Sequence, residues 1–289
     1  MSRDGRFAPS PTGVLHLGNL RTALLAWLFA RSCGARFLVR VEDLDAGRVR
    51  PEFVSQQLAD LAAIGLDWDG PVEAQSGRLG LYSQALGRLD VYECFCTRAE
   101  IRESASAAHG PPDHYPGTCR DLTDRERAER RAAGRVPALR VRAGGAAVRF
   151  VDRVMGEFAG VVDDFVVRRN DGAFAYNLAV VVDDAAQGIG EVVRGADLVD
   201  STPRQLWLLR ALGLAEPSYA HVPLVLGPDG RRLAKRHGDV TLRSVTPSAA
   251  LGWMAASLGL QGATPREMLA GFSVDALPRE PTVFAGALS

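Results

Sequence analysis

Aromatic residues are scarce in this 289-residue sequence, at 7%, and cysteine appears only four times. So few cysteines exclude a disulfide-stapled scaffold, and two of them, in Cys94-Phe95-Cys96, are spaced for metal rather than for cross-linking. Neither sign of charge is in excess. Lys and Arg number 34, and so do Asp and Glu, which excludes a global basic field for nucleic acid and leaves only local patches. Long hydrophobic runs are missing too. No stretch approaches the roughly 20 apolar residues of a membrane span, and the N-terminus runs straight into the strand-like Arg6-Phe7-Ala8 with no signal region. We expect a cytoplasmic protein, monomeric and without a membrane partner. Internal repeats and long linkers are absent. What is plentiful is glycine, at 30 residues, within a sequence 47% hydrophobic, enough to bury a sizeable core.

Apolar periodicity predicts a strand over 3–8 and then a helix carrying Leu20, Leu24, Trp27, Leu28 and Arg31, with Gly34 at its C-cap and Cys33 in the core. Residues 36–41 alternate, with Phe37, Val39 and Val41 on one side. A second helix begins at Pro51 and points Val54, Leu58 and Leu61 inward. Strand, helix, strand, helix in this order predicts a parallel sheet with crossovers. From Tyr92 to Gly156 the character changes to three cysteines, two histidines and a charged run over 120–131, read as an insertion with a solvated helix. After the turn Asn170-Asp171-Gly172, helical spacing returns at Phe174, Leu178, Val181, Val182 and Ala185, and a strand follows at 191–194. Thr202-Pro203-Arg204-Gln205 predicts a helix with Thr202 as N-cap, and two more capped helices start at Thr246-Pro247 and Thr264-Pro265.

Two loops carry the chemistry. Phe7-Ala8-Pro9-Ser10-Pro11-Thr12-Gly13-Val14-Leu15-His16-Leu17-Gly18-Asn19 joins the first strand to the first helix. Its helix N-terminus favours phosphate, Thr12 and His16 can donate to phosphoryl oxygens, and Gly18 leaves room for an adenine or ribose. Alone, this is also what a glycine-containing turn with a surface histidine looks like. Further on, the turn Gly227-Pro228-Asp229-Gly230 leads into Arg231-Arg232-Leu233-Ala234-Lys235-Arg236, four cations in six residues. Alone, that is a solvated basic loop. Together the two loops suit a triphosphate, with cations placed to neutralise pyrophosphate as it leaves.

In this order the loops resemble the His-Ile-Gly-His and Lys-Met-Ser-Lys-Ser signatures of class I aminoacyl-tRNA synthetases, standing here as His16-Leu17-Gly18-Asn19 and Arg232-Leu233-Ala234-Lys235-Arg236. The opening Arg6-Phe7-Ala8-Pro9-Ser10-Pro11-Thr12-Gly13 is similar to the glutamyl branch, as are Val41-Glu42-Asp43-Leu44-Asp45, Ala175-Tyr176-Asn177-Leu178-Ala179 and Val193-Arg194-Gly195-Ala196-Asp197-Leu198. Arg232 and Ala234 depart from the signature's first lysine and its serine. Lys235 is kept.

The resemblance implies a Rossmann-like α/β catalytic domain in two halves, 1–91 and 157–240, with a zinc-bearing insertion over 92–156 and a helical part over 241–289. It implies activation of L-glutamate by ATP with Mg²⁺. His16 and Lys235 are the catalytic residues it implies, and Thr12, His16, Gly18, Asn19 and Lys235 the ATP-binding ones. Chemistry alone makes Arg6, with Ser10, a holder for one carboxylate, Arg194 a fork for the other, Glu42 an anion for the ammonium and Tyr176 a hydroxyl donor and wall. The resemblance assigns the same positions to glutamate, adding Phe7, Ala8 and Pro9.

Cys94, Cys96 and Cys119 suit zinc, which needs a fourth ligand. Chemistry nominates His109 or His114 for it, and the resemblance nominates Tyr115. Only 54 residues follow Lys235, where the resemblance puts a large anticodon-reading portion in full glutamyl-tRNA synthetases. The chain is therefore expected to be similar to the truncated glutamyl relatives, which attach glutamate to the queuosine base in the anticodon of tRNA(Asp). Two alternatives stand beside this one: a shortened enzyme charging the 3′ end of tRNA(Glu), and a silent paralogue that only binds nucleotide or RNA.

Overall fold

The computed structural model describes residues 3–101, 115–233 and 240–286. Strand β1 (Gly5–Phe7) and strand β2 (Phe37–Val41) are buried along their whole lengths and pair in parallel, Gly5 opposite Phe37. Strands buried on both faces read as continuous apolar runs, and the crossover between them is helix α1 (Leu17–Ser32). Leu17, Leu20, Leu24, Trp27 and Leu28 of α1 are all buried. Cys33 is exposed, not in the core as the sequence suggested. It lies just past the last helical residue, where Gly34 turns the chain at φ 65°, and its sulfur accepts from Arg3 Nη1 at 3.4 Å.

Helix α2 (Pro51–Ala63) also differs from its apolar pattern. Leu61 is buried, but Val54 and Leu58 are only partly covered, and Gln57 and Asp60 are the other inner residues. The reason is local: α2 faces a loop whose carbonyls need donors, and Gln57 Nε2 donates to Ser10 O at 3.2 Å and Gly13 O at 2.7 Å. Strand β3 (Glu73–Ala74) extends the sheet beside β2, and helix α3 (Leu79–Leu86) follows.

Strand β4 (Val91–Cys94) leads through helix α4 (Asp124–Ala132) to strand β5 (Ala138–Val141). No residue of α4 is buried, in keeping with its polar sequence, and Thr123 and Glu126 close a capping box at its start. Strands β6 (Ala146–Asp152) and β7 (Gly156–Val162) form a hairpin, and strand β8 (Val166–Arg168) completes an antiparallel β4-β5-β8 sheet. Helix α5 (Tyr176–Gln187), strand β9 (Glu191–Gly195), helix α6 (Thr202–Leu212) and strand β10 (Ser218–Val222) build a second parallel unit. The order β7-β6-β10-β9 shows β6 hydrogen-bonded into this sheet, so the end of the 92–156 segment joins the layer that carries β9.

The Gly190 and Glu191 N–H groups donate to Asp4 O at 3.0 and 3.2 Å, which sets β9 beside β1. From β1 one unit winds outward to β2 and the other winds through β9 to β10. A crevice opens where such directions reverse, at the C-terminal strand ends.

Strands β11 (Val225–Leu226) and β12 (Thr282–Val283) pair across the C-terminal part, in which Thr246 caps helix α7 (Pro247–Leu258) and Thr264 caps helix α8 (Pro265–Ala270). Leu251, Met254 and Met268 from this part join the core of Leu20 and Leu24. The start of α6 is a further difference. Thr202 is its first helical residue and Ser201 its N-cap, because the Thr202 hydroxyl is engaged elsewhere. Among the described residues no helix is long and apolar enough to cross a membrane.

Candidate active site

A cavity of about 550 Å³ opens at the C-terminal ends of β1 and β9. Its lining brings together Arg6, Phe7, Ala8, Pro9, Ser10, Glu42, Tyr176 and Arg194 with Thr12, His16, Gly18 and Asn19. Lys235 and Arg236 lie outside the described residues, as do His109 and His114. The loop leading to Lys235 is described as far as Leu233, and Arg232 lines the cavity.

The start of α1 is built by capping. His16 is the N-cap of α1: its Nδ1 accepts from Asn19 N–H at 3.3 Å while Asn19 Oδ1 accepts from His16 N–H at 3.3 Å. With Nδ1 accepting, the neutral ring carries its proton on Nε2 as a donor. Burial, and then the charge of Arg232, push the His16 pKa down to about 4, so the ring is neutral at pH 7. Gly18 packs closely on this ring, since a Cβ there would meet His16 Cε1 at 3.0 Å and press on it. The first loop meets the chain that follows the cationic one. Leu17 N–H donates to Val240 O at 2.9 Å, and Leu233 N–H closes a turn onto Val225 O at 2.8 Å.

Arg6 and Glu42 belong to a buried charge network. Arg6 Nε donates to Asp184 Oδ1 at 3.1 Å. Arg40, fully buried on β2, reaches Asp184 at 2.8 Å, and Glu42 and Asp183 at 3.6 Å each. Asp183 also accepts from Gln75, Arg78 and Tyr82 at 2.9, 2.6 and 2.8 Å. Burial pushes the Glu42 carboxyl up to about 7, against the pull of Arg40 and Arg6. Asp184 is held below the carboxylate range: burial opposes this, but Arg6 and Arg40 outweigh it.

Arg194 is held by a second network. Its Nε donates to His221 Nε2 at 3.0 Å, Nη1 to Gln205 Oε1 at 2.8 Å, and Nη2 to Thr202 Oγ1 at 2.8 Å and, weakly, to Leu198 O at 3.4 Å. This is why Thr202 does not cap its helix. The sequence reading missed Arg40, Asp183, Asp184, His221 and Gln205. A usable signal was there: Arg40 interrupts the strand Phe37-Leu38-Val39-Arg40-Val41, and Asp183-Asp184 end an apolar helical stripe, so both place charge where only paired charge is tolerated.

At the far end of β4, the sulfurs of Cys94, Cys96 and Cys119 lie within 4.8 Å of one another. Tyr115 is buried beside them, its hydroxyl 3.4 Å from Cys94 Sγ and accepting from Cys119 N–H at 2.8 Å. Three thiols and a phenol at these spacings fit a four-coordinate soft-metal site. Asp163 fixes the loop, accepting from Tyr115 N–H at 3.1 Å and from Arg204 Nε of α6 at 2.9 Å.

Comparison with known proteins agrees with this geometry. The family model "tRNA synthetases class I (E and Q), catalytic domain" matches residues 4–267. The glutamyl-Q tRNA(Asp) synthetase of Nocardia farcinica is 60% identical over 288 residues, covering 96% of this chain and 92% of its own. That of Symbiobacterium thermophilum is 48% identical, covering 96% of this chain and 94% of its own. The crystal structure of a glutamate tRNA ligase from Elizabethkingia meningosepticum, in complex with its amino acid, superposes with a TM-score of 0.83 at 27% identity, covering 99% of this chain and 67% of that one. The chain belongs to the class I tRNA synthetases of the glutamate and glutamine type and, within them, to the glutamyl-Q tRNA(Asp) synthetase branch.

Proposed function

We propose that the cavity activates L-glutamate with ATP as glutamyl-adenylate, without tRNA, and that the glutamyl group then passes to the queuosine base in the anticodon of tRNA(Asp). The observation that carries this is a single cavity holding two cationic forks, Arg6 and Arg194, an anion at Glu42 and a capped helix N-terminus at His16. Glutamate offers two carboxylates and one ammonium, and these groups complement it charge for charge.

In the first step an oxygen of the glutamate α-carboxylate attacks the α-phosphorus of ATP, and pyrophosphate leaves. Arg6 and Ser10 hold one carboxylate, Arg194 and the Tyr176 hydroxyl face the other, and Glu42 takes the ammonium, with Phe7, Ala8 and Pro9 forming the floor. His16 Nε2–H, Thr12 and the backbone at Gly18 and Asn19 donate to phosphate oxygens. Lys235 neutralises the departing pyrophosphate. No protein nucleophile is needed, so catalysis is positioning and charge stabilisation. Mg²⁺, bound to the triphosphate, would add positive charge to it. In the second step a hydroxyl of the queuosine cyclopentenediol attacks the adenylate carbonyl, and AMP leaves.

Cys94, Cys96, Cys119 and Tyr115 would hold one structural zinc, which would contribute folding energy to the segment that Asp163 ties to α6. A cytoplasmic monomer fits this reading.

Glutamate-dependent exchange of pyrophosphate into ATP, measured with no tRNA present, tests the first step. Exchange with glutamate and not with glutamine is the expected result. Exchange that starts only when tRNA is added would refute it.

A further inference from the structure

Arg194 has five N–H donors, and the protein takes three of them at 3.0 Å or less. Which donors remain for a ligand is set by these three acceptors, and the one at Nε is a histidine whose proton could sit on either nitrogen. His221 is fully buried on β10, its ring stacked on Tyr219 with planes 5° apart. Its Nδ1 lies 2.6 Å from Asp152 Oδ2, and the Asp152 carboxylate is itself fixed: Oδ1 accepts from the N–H groups of Val154 and Met155 at 3.0 and 2.9 Å. A carboxylate can only accept here, so the proton belongs on Nδ1 and the lone pair on Nε2. That lone pair receives Arg194 Nε–H, and the Thr202 hydroxyl, 3.2 Å from the same nitrogen, can donate to it while accepting from Arg194 Nη2.

Resting on the glutamate-binding reading of Arg194, we infer that Asp152 and His221 are positioning residues for substrate selection: Asp152 fixes the His221 tautomer, and His221 fixes the plane of the Arg194 fork. The fork is then held in one plane at the cavity wall before any ligand arrives, with Nε–H and one N–H on each Nη committed to the protein and the second N–H on each Nη left over, that of Nη2 reaching only weakly to Leu198 O at 3.4 Å. The opposite tautomer would set an N–H against an N–H and turn the guanidinium away. The chain order supports a dedicated device. Asp152 ends β6, His221 sits on β10 and Arg194 on β9, three adjacent strands of one sheet. The His221 backbone N–H also donates to the Asp152 carboxylate at 3.1 Å, so Asp152 holds both the backbone and the ring of position 221.

The test is pyrophosphate exchange with the full chain, reading KM for glutamate, KM for ATP and kcat. His221→Leu should raise the glutamate KM about ten- to a hundredfold, the cost of losing one hydrogen bond to a charged group. The ATP KM and kcat should change by less than about threefold. His221→Gln should recover most of the loss, because its Oε1 can accept where Nε2 did. Asp152→Asn should be as harmful as His221→Leu although almost isosteric, because an amide N–H in place of Oδ2 forces the proton to Nε2, the wrong tautomer for Arg194. A uniform fall in kcat with both KM values raised, or His221→Gln no better than His221→Leu, would mean a merely structural role and overturn the inference. Arg194→Ala separates the two levels. If it raises the glutamate KM while the His221 and Asp152 variants do not, only the positioning pair is wrong. If it leaves the glutamate KM unchanged, the glutamate site itself is wrong and the inference goes with it. Should the variants not fold, nitrogen-15 NMR of the unmodified protein decides: His221 protonated on Nδ1 is the expected state, and protonation on Nε2 overturns the pair.

Discussion

Arg232 pairs with Asp197, tying the cationic loop to the turn that follows Arg194 on β9. The cation that departs from the family signature is therefore engaged beside the strand that carries Arg194, and it also bears on His16. Burial is the larger cause of the depressed His16 pKa of about 4, and Arg232 the smaller. Arg232→Ala should raise the His16 pKa only part of the way to its ordinary value, as read by carbon-13 NMR titration. A full return to that value would show that burial does not dominate. Asp197→Asn should cost less than about 1 kcal/mol in stability, because the pair is partly solvent-exposed.

Glu42 gives the site a pH dependence. Its carboxyl is pushed up to about 7 by burial, so in the proposed site the ammonium of glutamate would meet a neutral acid below that pH. Glutamate affinity should improve as pH rises through about 7 and then level off, and binding near pH 7 should release a proton. Calorimetry in buffers of different ionisation enthalpy reads that proton directly. The sign for stability is the opposite one. The folded state keeps a proton that the unfolded chain has lost between about 4.5 and 7, so this group's contribution to stability falls as pH rises across that window. Glu42→Gln should flatten both trends, and affinity that fell with rising pH would contradict the role.

One zinc per chain should be found by elemental analysis of protein purified without chelator. Cys96→Ser should lose the metal and lower the melting temperature, since structural zinc contributes folding energy outright. Tyr115→Phe tests the fourth ligand, because it removes only the hydroxyl, which lies 3.4 Å from Cys94 Sγ and also accepts from Cys119 N–H. Metal-free protein with unchanged melting in the presence of zinc would refute the site.

Much of this was readable in the sequence. The strands at β1, β2 and β9, the crossover helices and the caps at Thr246 and Thr264 follow from periodicity and capping chemistry, and the loops at His16 and Arg232 announce themselves by composition. Two of the misreadings share a cause. Thr202 looks like a helix cap, and Val54 looks like the inner face of α2, only if local propensity decides. In the folded protein, tertiary demand wins: Arg194 claims the Thr202 hydroxyl, and the loop carbonyls at Ser10 and Gly13 claim Gln57. The partners of a buried charge cannot be found by spacing. Asp184 meets Arg6 from 178 residues away and Asp152 meets His221 from 69, distances that only the fold closes.

The most direct measurement is where the glutamate ends up. The protein, incubated with ATP, Mg²⁺, labelled glutamate and tRNA(Asp) carrying queuosine, should yield a product that nuclease digestion and mass measurement trace to the anticodon base. tRNA(Asp) lacking queuosine, and tRNA(Glu), should accept none. An anticodon loop can present an unstacked base to such a cavity, and its binding should weaken as salt rises. Glutamate on the 3′-terminal adenosine, with none on the queuosine base, would contradict the proposed function and make the chain a shortened glutamyl-tRNA synthetase.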